Sequence, residues 1–506
     1  MSEPTTETVP PSVRPRRKGS RVLAVIGIVG AVIAVTVPVV AYVGYIAYCE
    51  QSFREAVAEA DRLDPGWRLE EILSRRDNDP IPEAEDAAAT VLTALDELPE
   101  GWGSYDPKAR AELGPLEGVK LLDHLTDIEP DVSIAPDVAE ALADEIEWLR
   151  PALRASEPLA GQSRGRFPFV PARIIFETLL PNTQNSRTLV RVLQLSAYHK
   201  TQTGDLDGAI DECRRMVGVS HAIGDEPTAI SQLVRLAEIA SAVVTLERVL
   251  AQGEPSDTAL KSAQERFRRE AGEPFALIGL RGERAASFDV LGKLASGEAG
   301  FNELSEERGR GNGQGRFLLP HARAFFRYNQ SVSLLALNQA VEAAKQPPDQ
   351  QTDGWNRART FMHRPEDAVK FRAGSVAYLL MPALDAFWNS CRRVRGELAV
   401  AQAMAAMERT RRATGRWPES LDAIPKSILP ASPIDPFSGR PVRTVRTPEG
   451  WVVYCVGADG EDNGGRLDPK YKPDVKGFDW GRRLWDVSRR GRPPAQPPAN
   501  PTEDQP

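Results

Sequence analysis

Residues 228–250 read TAISQLVRLAEIASAVVTLERVL, and this stretch decides the fold class because its apolar residues recur at helical spacing. Two stripes run along it. Ile230, Leu233, Ala237 and Val244 form one, and Leu236, Ile239, Val243, Leu246 and Leu250 form the other. A helix apolar along two lines is expected to pack on two sides, as in a bundle centre or a stacked array. Just upstream, Asp205 follows Gly204 as a natural N-cap and opens a helix with Leu206, Ala209, Ile210, Cys213, Val217 and Ser220 on one face; Gly224 stops it. The passage around Gly204, Ala209 and Met216 is weakly tetratricopeptide-like, but the next stretch does not repeat it at an interval of about 34 residues. The block from Ser186 to Gly272 is therefore read as an irregular helical array, and the chain as mainly α.

Outward from this block the pattern stays helical. Glu50 to Leu63, Trp67 to Arg76, Pro82 to Leu98 and Pro136 to Ala155 are expected helices, separated by turns rich in proline and glycine. On the other side, Gly297 to Arg316 holds the run GRGNGQGR and reads as a surface loop; helices are expected from His321 to Lys345 and from Arg364 to Arg395, with a breaker at Gln346 to Gly354. Residues 49–394 form this helical region, and 487–506, rich in proline and polar residues, read as a disordered tail.

From Val22 to Tyr48 no residue carries a charge, and 27 residues at about 1.5 Å each span a hydrocarbon layer of about 30 Å with some tilt. A single transmembrane helix over 22–48 is expected, with Pro38 as a tolerated kink. Arg14, Arg16, Arg17, Lys18 and Arg21 precede it, while Glu50, Glu55, Glu59 and Asp61 follow. Residues 1–21 are thus expected to be a cytoplasmic arm, the span to lie in the inner (cytoplasmic) membrane, and the body to be periplasmic. A cleavable signal peptide has a shorter apolar region, although Val39 and Ala41 suit a cleavage site. A lipoprotein signal conflicts with Tyr48 before Cys49, and a prepilin signal, suggested by Gly19 after Lys18, conflicts with Ala24 where that class carries a glutamate.

The 506 residues are 41% hydrophobic, enough to bury a sizeable core, and the 63 basic and 71 acidic residues are intermixed along the chain. No basic surface for nucleic acid follows from such a balance; the mixed charge reads as a solvated exterior. Cys49, Cys213, Cys391 and Cys455 lack paired spacing, so they read as small buried apolar residues, with one bridge between Cys213 and Cys391 as the alternative.

The pattern changes after residue 395. A helix with Val400, Met404 and Met407 on one stripe ends at Gly415, followed by ATGRWPESL (413–421), DPFSGRPV (435–442) and VYCVGADGEDNGG (453–465). Val442 to Arg446 and Trp451 to Val456 alternate as a hairpin does, closed through Thr447-Pro448-Glu449-Gly450. Helix, proline-rich crossing and hairpin make a small α+β unit over 395–486. These motifs resemble the soluble head of the major pseudopilin of type II secretion, of the kind found at the end of large planctomycete-type envelope proteins. The resemblance covers under a fifth of the chain and implies a pilin-like α+β fold. It also implies a calcium ion held by the acidic loop, here on Asp459, Asp462, Asn463 or Asp468. Read from the residues alone, Asp459, Glu461 and Asn463 before Gly464 alternate as calcium ligands do, yet Lys470 stands where an EF-hand carries its glutamate.

Catalytic motifs are weak. Gly161-Gln162-Ser163-Arg164-Gly165 matches GxSxG without the strand a nucleophile elbow needs, and Gly309, Gly311, Gly313 and Gly315 lack the lysine of a phosphate loop. The five histidines, His124, His199, His221, His321 and His363, form no local ligand pair, and read as surface or packing residues. The expectation is a membrane-anchored protein held in the bilayer through residues 22–48 and binding other envelope proteins, with no nucleic-acid partner and no assigned catalytic residue. The alternatives are an envelope hydrolase with a site assembled from distant residues, or an accessory part of a type II secretion-like system.

Overall fold

The computed structural model describes residues 19–102, 118–300, 320–347, 350–362, 381–472 and 475–494. The described helices run in the order α1 (Gly19–Leu63), α2 (Leu69–Asp77), α3 (Ala87–Asp96), α4 (Gly118–Thr126), α5 (Pro136–Trp148), α6 (Arg150–Ala155), α7 (Pro181–Gln202), α8 (Leu206–Ile223) and α9 (Ala229–Gln252). They continue as α10 (Asp257–Ala271), α11 (Phe275–Ser296), α12 (Pro320–Lys345), α13 (Gln351–Met362) and α14 (Met381–Thr414). A three-stranded antiparallel sheet follows, in the order β1 (Arg443–Thr447), β2 (Gly450–Cys455), β3 (Trp480–Trp485). The protein is mainly helical, as expected. Most of the glycine-rich run, most of the N-terminal arm, residues 364–380 and residues 495–506 lie outside the described residues.

α1 is one helix of 45 residues with two environments. Its described apolar half is exposed from Leu23 to Val43, whereas Cys49, Ala56 and Ala60 are fully buried. The segment read as a separate helix after the apolar run is thus its direct continuation. Cys49 packs on Ala324 and Tyr328 of α12, Ala56 and Ala60 pack with Trp67 and Leu334, and Asp64 meets Lys345, so α12 runs parallel to α1, in the same sense. Where α1 ends, Asp64 receives Arg281 Nε at 2.9 Å and Lys345 Nζ at 3.3 Å, and is also paired with the buried Arg284. Against the opposing effect of burial, Arg281 and Arg284 hold its carboxyl down to about 2.

The helical block from α7 to α10 folds back and forth. Asp205 caps α8 as expected, its side chain accepting from Gly208 N at 2.9 Å, and Gly224 ends the helix with a positive φ. α9 is packed on two sides, but not by the two stripes its sequence suggests. Leu236, Ile239, Val243, Leu246 and Leu250 are buried; Ile230 is 58% and Leu233 37% exposed, and Ala237 also faces outward. The second covered face is polar, with Gln232, Arg235, Glu238, Glu247 and Arg248 all buried. Arg235 explains how. Its Nη2 donates to Glu270 at 3.1 Å and Glu273 at 2.9 Å, and its guanidinium lies 4.7 Å from the Phe275 ring centre. A buried arginine with matched carboxylates is tolerated where a bare one is not. The mixed charge of the chain is consequently not all solvated exterior.

α11 was not expected, and α13 starts inside the stretch read as a breaker. The change of pattern near residue 395 marks no break in the backbone: α14 crosses it as one helix. At Gly396 the helix makes its close approach to Cys455 and Phe437, so the pattern shift reflects a new neighbour. Buried residues of α14, of the array and of the sheet (Val453, Cys455, Leu484) share one continuous core. The four cysteines are all buried and free.

Glu238 gives a pH prediction. Burial pushes its carboxyl up to about 8 although Ser186 Oγ donates to it at 2.6 Å. The fold then holds a proton that the unfolded chain releases from about pH 4.5, so stability is fully present below that value and declines as pH rises toward 8. Glu238→Gln is expected to melt like wild type near pH 4.5 and to be more stable than wild type at pH 8.5, by roughly 2–4 kcal/mol. Urea denaturation at the two pH values measures this, and parallel pH dependence in both proteins would refute it.

Candidate functional site

The DPFSGR segment is shaped by a buried aspartate. Asp435 Oδ1 accepts from Phe437 N at 2.8 Å, and Oδ2 accepts from Ser438 Oγ at 2.7 Å and from Val456 N at 3.1 Å. One carboxylate thus closes its own turn and fixes the end of β2, with Gly439 taking the left-handed conformation the turn needs. The preceding GRWPES segment is tied down by Trp417, whose Nε1 donates to Asp486 at 2.8 Å. The hairpin turn is Pro448-Glu449 between paired Thr447 and Gly450. Gly450 is obligatory because a Cβ there would stand 2.2 Å from the Leu484 carbonyl oxygen.

The acidic loop closes on itself. Asp459 accepts from Glu461 N at 3.1 Å and Gly477 N at 2.9 Å, and Asp468 accepts from Lys470 N at 3.0 Å and Lys472 N at 2.9 Å. Asp462 accepts from Gly464 N at 3.0 Å and Tyr454 Oη at 3.1 Å, and pairs with Arg443 at 3.1 Å; the Asn463 side chain donates to the Glu461 carbonyl at 3.1 Å. Sequence reasoning passed over Asp479, which accepts from Asn463 N at 3.1 Å and Gly465 N at 2.7 Å. Burial raises its pKa, and the nearby charges of Asp462 and Asp459 add to the rise. The four residues expected to hold calcium share one loop, and the carboxylates of Asp459, Asp462 and Asp468 each accept from backbone amides that close it.

The sheet is joined to the array by a buried charge triad whose members no local spacing connects. Arg482 of β3 donates to Glu397 of α14 at 2.9 Å and to Glu247 of α9 at 3.3 Å, all three being buried. Arg483 N adds a 2.8 Å bond to Glu247. Beyond β3 the chain stays fastened: Arg490 pairs with buried Glu408 at 2.8 Å, and Arg492 with Asp131 at 2.6 Å. The tail read as disordered from residue 487 is therefore ordered through its described part, to residue 494.

These ties build a cleft. Two adjoining hollows share Glu449, Arg483 and Trp485; one continues past Val452, Arg466 and Leu467, the other past Glu129, Asp131, Arg489 and Arg492. Four separate segments wall it, near residues 129–131, 447–452, 465–467 and 483–492, and the Arg492 and Arg490 anchors are what bring the tail there. Arg466, Arg483, Arg489 and Val487 are exposed around it. Arginine and tryptophan beside partly apolar walls are the composition of protein-recognition surfaces. Among the described residues, the charges lining this cleft include two ion pairs, Arg483 with Glu449 at 3.1 Å and Arg492 with Asp131.

Of the catalytic candidates, Ser163 is exposed in an irregular segment after a short 3-10 turn, with no strand before it. His221 departs from the surface or packing reading. It is buried with Nε2 2.8 Å from Glu270, which His221, Arg235 and Arg266 hold down to about 2 in spite of burial. Beside this group Arg266 Nη2 donates to the Gln162 carbonyl at 2.7 Å, and Arg235 is shared between Glu270 and Glu273.

Arg482→Ala would leave Glu247 and Glu397 buried and unpaired, a loss of about 3–5 kcal/mol. Chemical denaturation is expected to show that drop, with proteolysis of the sheet preceding that of the array; an Arg482→Ala protein as stable as wild type would remove the triad from its assigned role. Compared with family models, curated proteins and solved structures, the chain matches none.

Proposed function

We propose that the chain is a single-pass membrane protein whose extracytoplasmic body presents the C-terminal cleft to another protein of the envelope. The observation that carries the first half is the division of α1. Leu23 to Val43 lie exposed without interruption, while the same helix is built into the core from Cys49 onward. Lipid is the solvent that removes the cost of such a surface. Tyr42, Tyr45 and Tyr48, all partly exposed, fall where a span meets the headgroups, and the basic arm before the span places that end in the cytoplasm.

The second half rests on where the cleft stands. Thr352, which follows α12 beyond the Asp64 end of α1, donates to the Pro436 carbonyl at 2.9 Å, so the sheet and its cleft lie away from the apolar half of α1. A pseudopilin-like head in this reading is a fixed docking element. Free filament subunits are a poorer fit, because here Arg482, Arg490 and α14 weld the head to the array. The acidic loop closes through its own amides, so docking needs no ion, and melting temperatures in calcium and in chelator at matched ionic strength are expected to agree.

Two measurements test the reading in the native host membrane. The full chain is expected to resist carbonate extraction and to be cleaved by protease added outside the cytoplasmic membrane; release by carbonate would end the anchor assignment. A photo-crosslinking residue at Arg466 or Arg489 is expected to give a discrete adduct that the same residue at exposed Arg412 does not, and equal patterns at all three sites would end the docking assignment.

A further inference from the structure

The loop from Val170 to Leu180 ends in a second apolar feature. Ile174 and Ile175 are buried against Val290, Leu291 and Leu294 of α11. Lys293 Nζ donates to the Arg173 carbonyl at 2.8 Å, Arg173 donates to the Glu298 carbonyl at 3.0 Å, and Ala172 N donates to Thr178 Oγ1 at 3.1 Å. So stapled, the loop turns Val170 (83% exposed), Phe176 (48%) and Leu179 (87%) outward. Ordinary folding does not hold three large apolar side chains outward on a fastened loop unless something covers them.

What covers them follows from the height of the loop along α1. α11 lies beside α1 in the sense that carries it toward the apolar half: Arg284 meets Asp64, and Phe288 stacks on Phe53 with ring centres 6.0 Å apart. From Phe288 to Ser296 is a further rise of about 12 Å, which counted back along α1 from Phe53 reaches the neighbourhood of Tyr45. Glu298, gripped by Arg173, therefore stands level with the end of the charge-free run. α12 agrees, since Ala324 and Tyr328 pack on Cys49 and Phe326 touches the same cluster as Ile174. Arg173, Lys293, Arg323 and His321 bring basic side chains to this end of the body.

We infer that the Val170–Leu180 loop is a second membrane contact that dips Phe176, with Val170 and Leu179, into the interfacial layer of the leaflet where α1 emerges. The inference rests on α1 being a transmembrane anchor. The occupant is lipid because the apolar surface of the loop continues that of the span at the same height, with exposed Arg323 at the same end of the body to meet anionic headgroups. With two contacts, rotation of the body about the α1 axis is arrested, and one face is held down.

The test uses the full chain in vesicles of phosphatidylethanolamine and phosphatidylglycerol. Single cysteines at Phe176→Cys and Leu179→Cys carry an environment-sensitive fluorophore, with Glu419→Cys as the remote control; the four native cysteines are buried, so labelling is confined to the new site. Lipids spin-labelled near the headgroup are expected to quench both loop probes at least twofold more than the control, with a blue-shifted emission. Vesicle-bound protein whose loop probes are quenched no more than the control overturns the loop contact and leaves the anchor standing. Protein that fails to float with the vesicles overturns both.

Discussion

The clamp on Asp64 is the constraint from which the rest of the architecture follows. A helix emerging from an apolar run needs nothing at its far end to satisfy its own backbone beyond a cap. Here the last turn of α1 delivers a carboxylate to Arg281, Arg284 and Lys345, drawn from α11 and α12. Trp67 locks the exit: it is buried edge-on against Phe288 and donates to Asp61 at 2.9 Å. A buried carboxylate is stable only while its cations stay in place, so α1, α11 and α12 keep one register. The apolar half of α1 is thereby a rigid extension of the body, and the height of every other element above it is set.

Buried charge does the same work elsewhere. Arg235 with Glu270 and Glu273, Arg482 with Glu247 and Glu397, and Arg490 with Glu408 each tie elements distant in the chain. Such pairs add little net stability over apolar packing, but they penalise every arrangement in which one partner is missing. For an irregular array, whose helices lack a repeated interface to fix their order, that penalty supplies specificity.

This explains what was legible in the sequence and what was not. Caps and stops are local, so Asp205, Gly224 and the Pro448-Glu449 turn could be placed from neighbouring residues alone. The continuity of α1 and α14 was hidden, because the composition changes at Glu50 and near residue 395 are changes of environment along unbroken helices. The stripe of Ile230 and Leu233 was misread because periodicity reports that a face is apolar without saying what covers it. In α9 the covered second face is the one bearing Arg235, Glu238 and Glu247, which sequence reasoning assigned to water. The acidic loop could be read from its own residues, yet its closure also uses Asp479, sixteen residues from Asn463 and outside any motif. Nothing local marks Arg483, Arg489, Arg492 and Asp131 as neighbours; only the folded tail brings them to one cleft.

Rigidity also decides how the two ends of the molecule can be used. Fifteen residues separate Tyr48 from Leu63, and at helical rise they raise the Asp64 clamp about 22 Å above the point where α1 enters the core. The sheet lies beyond that clamp, fastened to α9 and α14 through Arg482. A docking cleft on a stalk would search a wide shell of positions, and each capture would cost the entropy of that search. Under the proposed placement, a continuous helix would fix the height of the cleft and the Val170–Leu180 loop its azimuth, so the cleft would sample almost none of it. Partners of the proposed kind, confined to the same membrane, would then meet a surface already oriented toward them, and modest contacts of the kind that Arg466 and Arg483 offer would suffice for association.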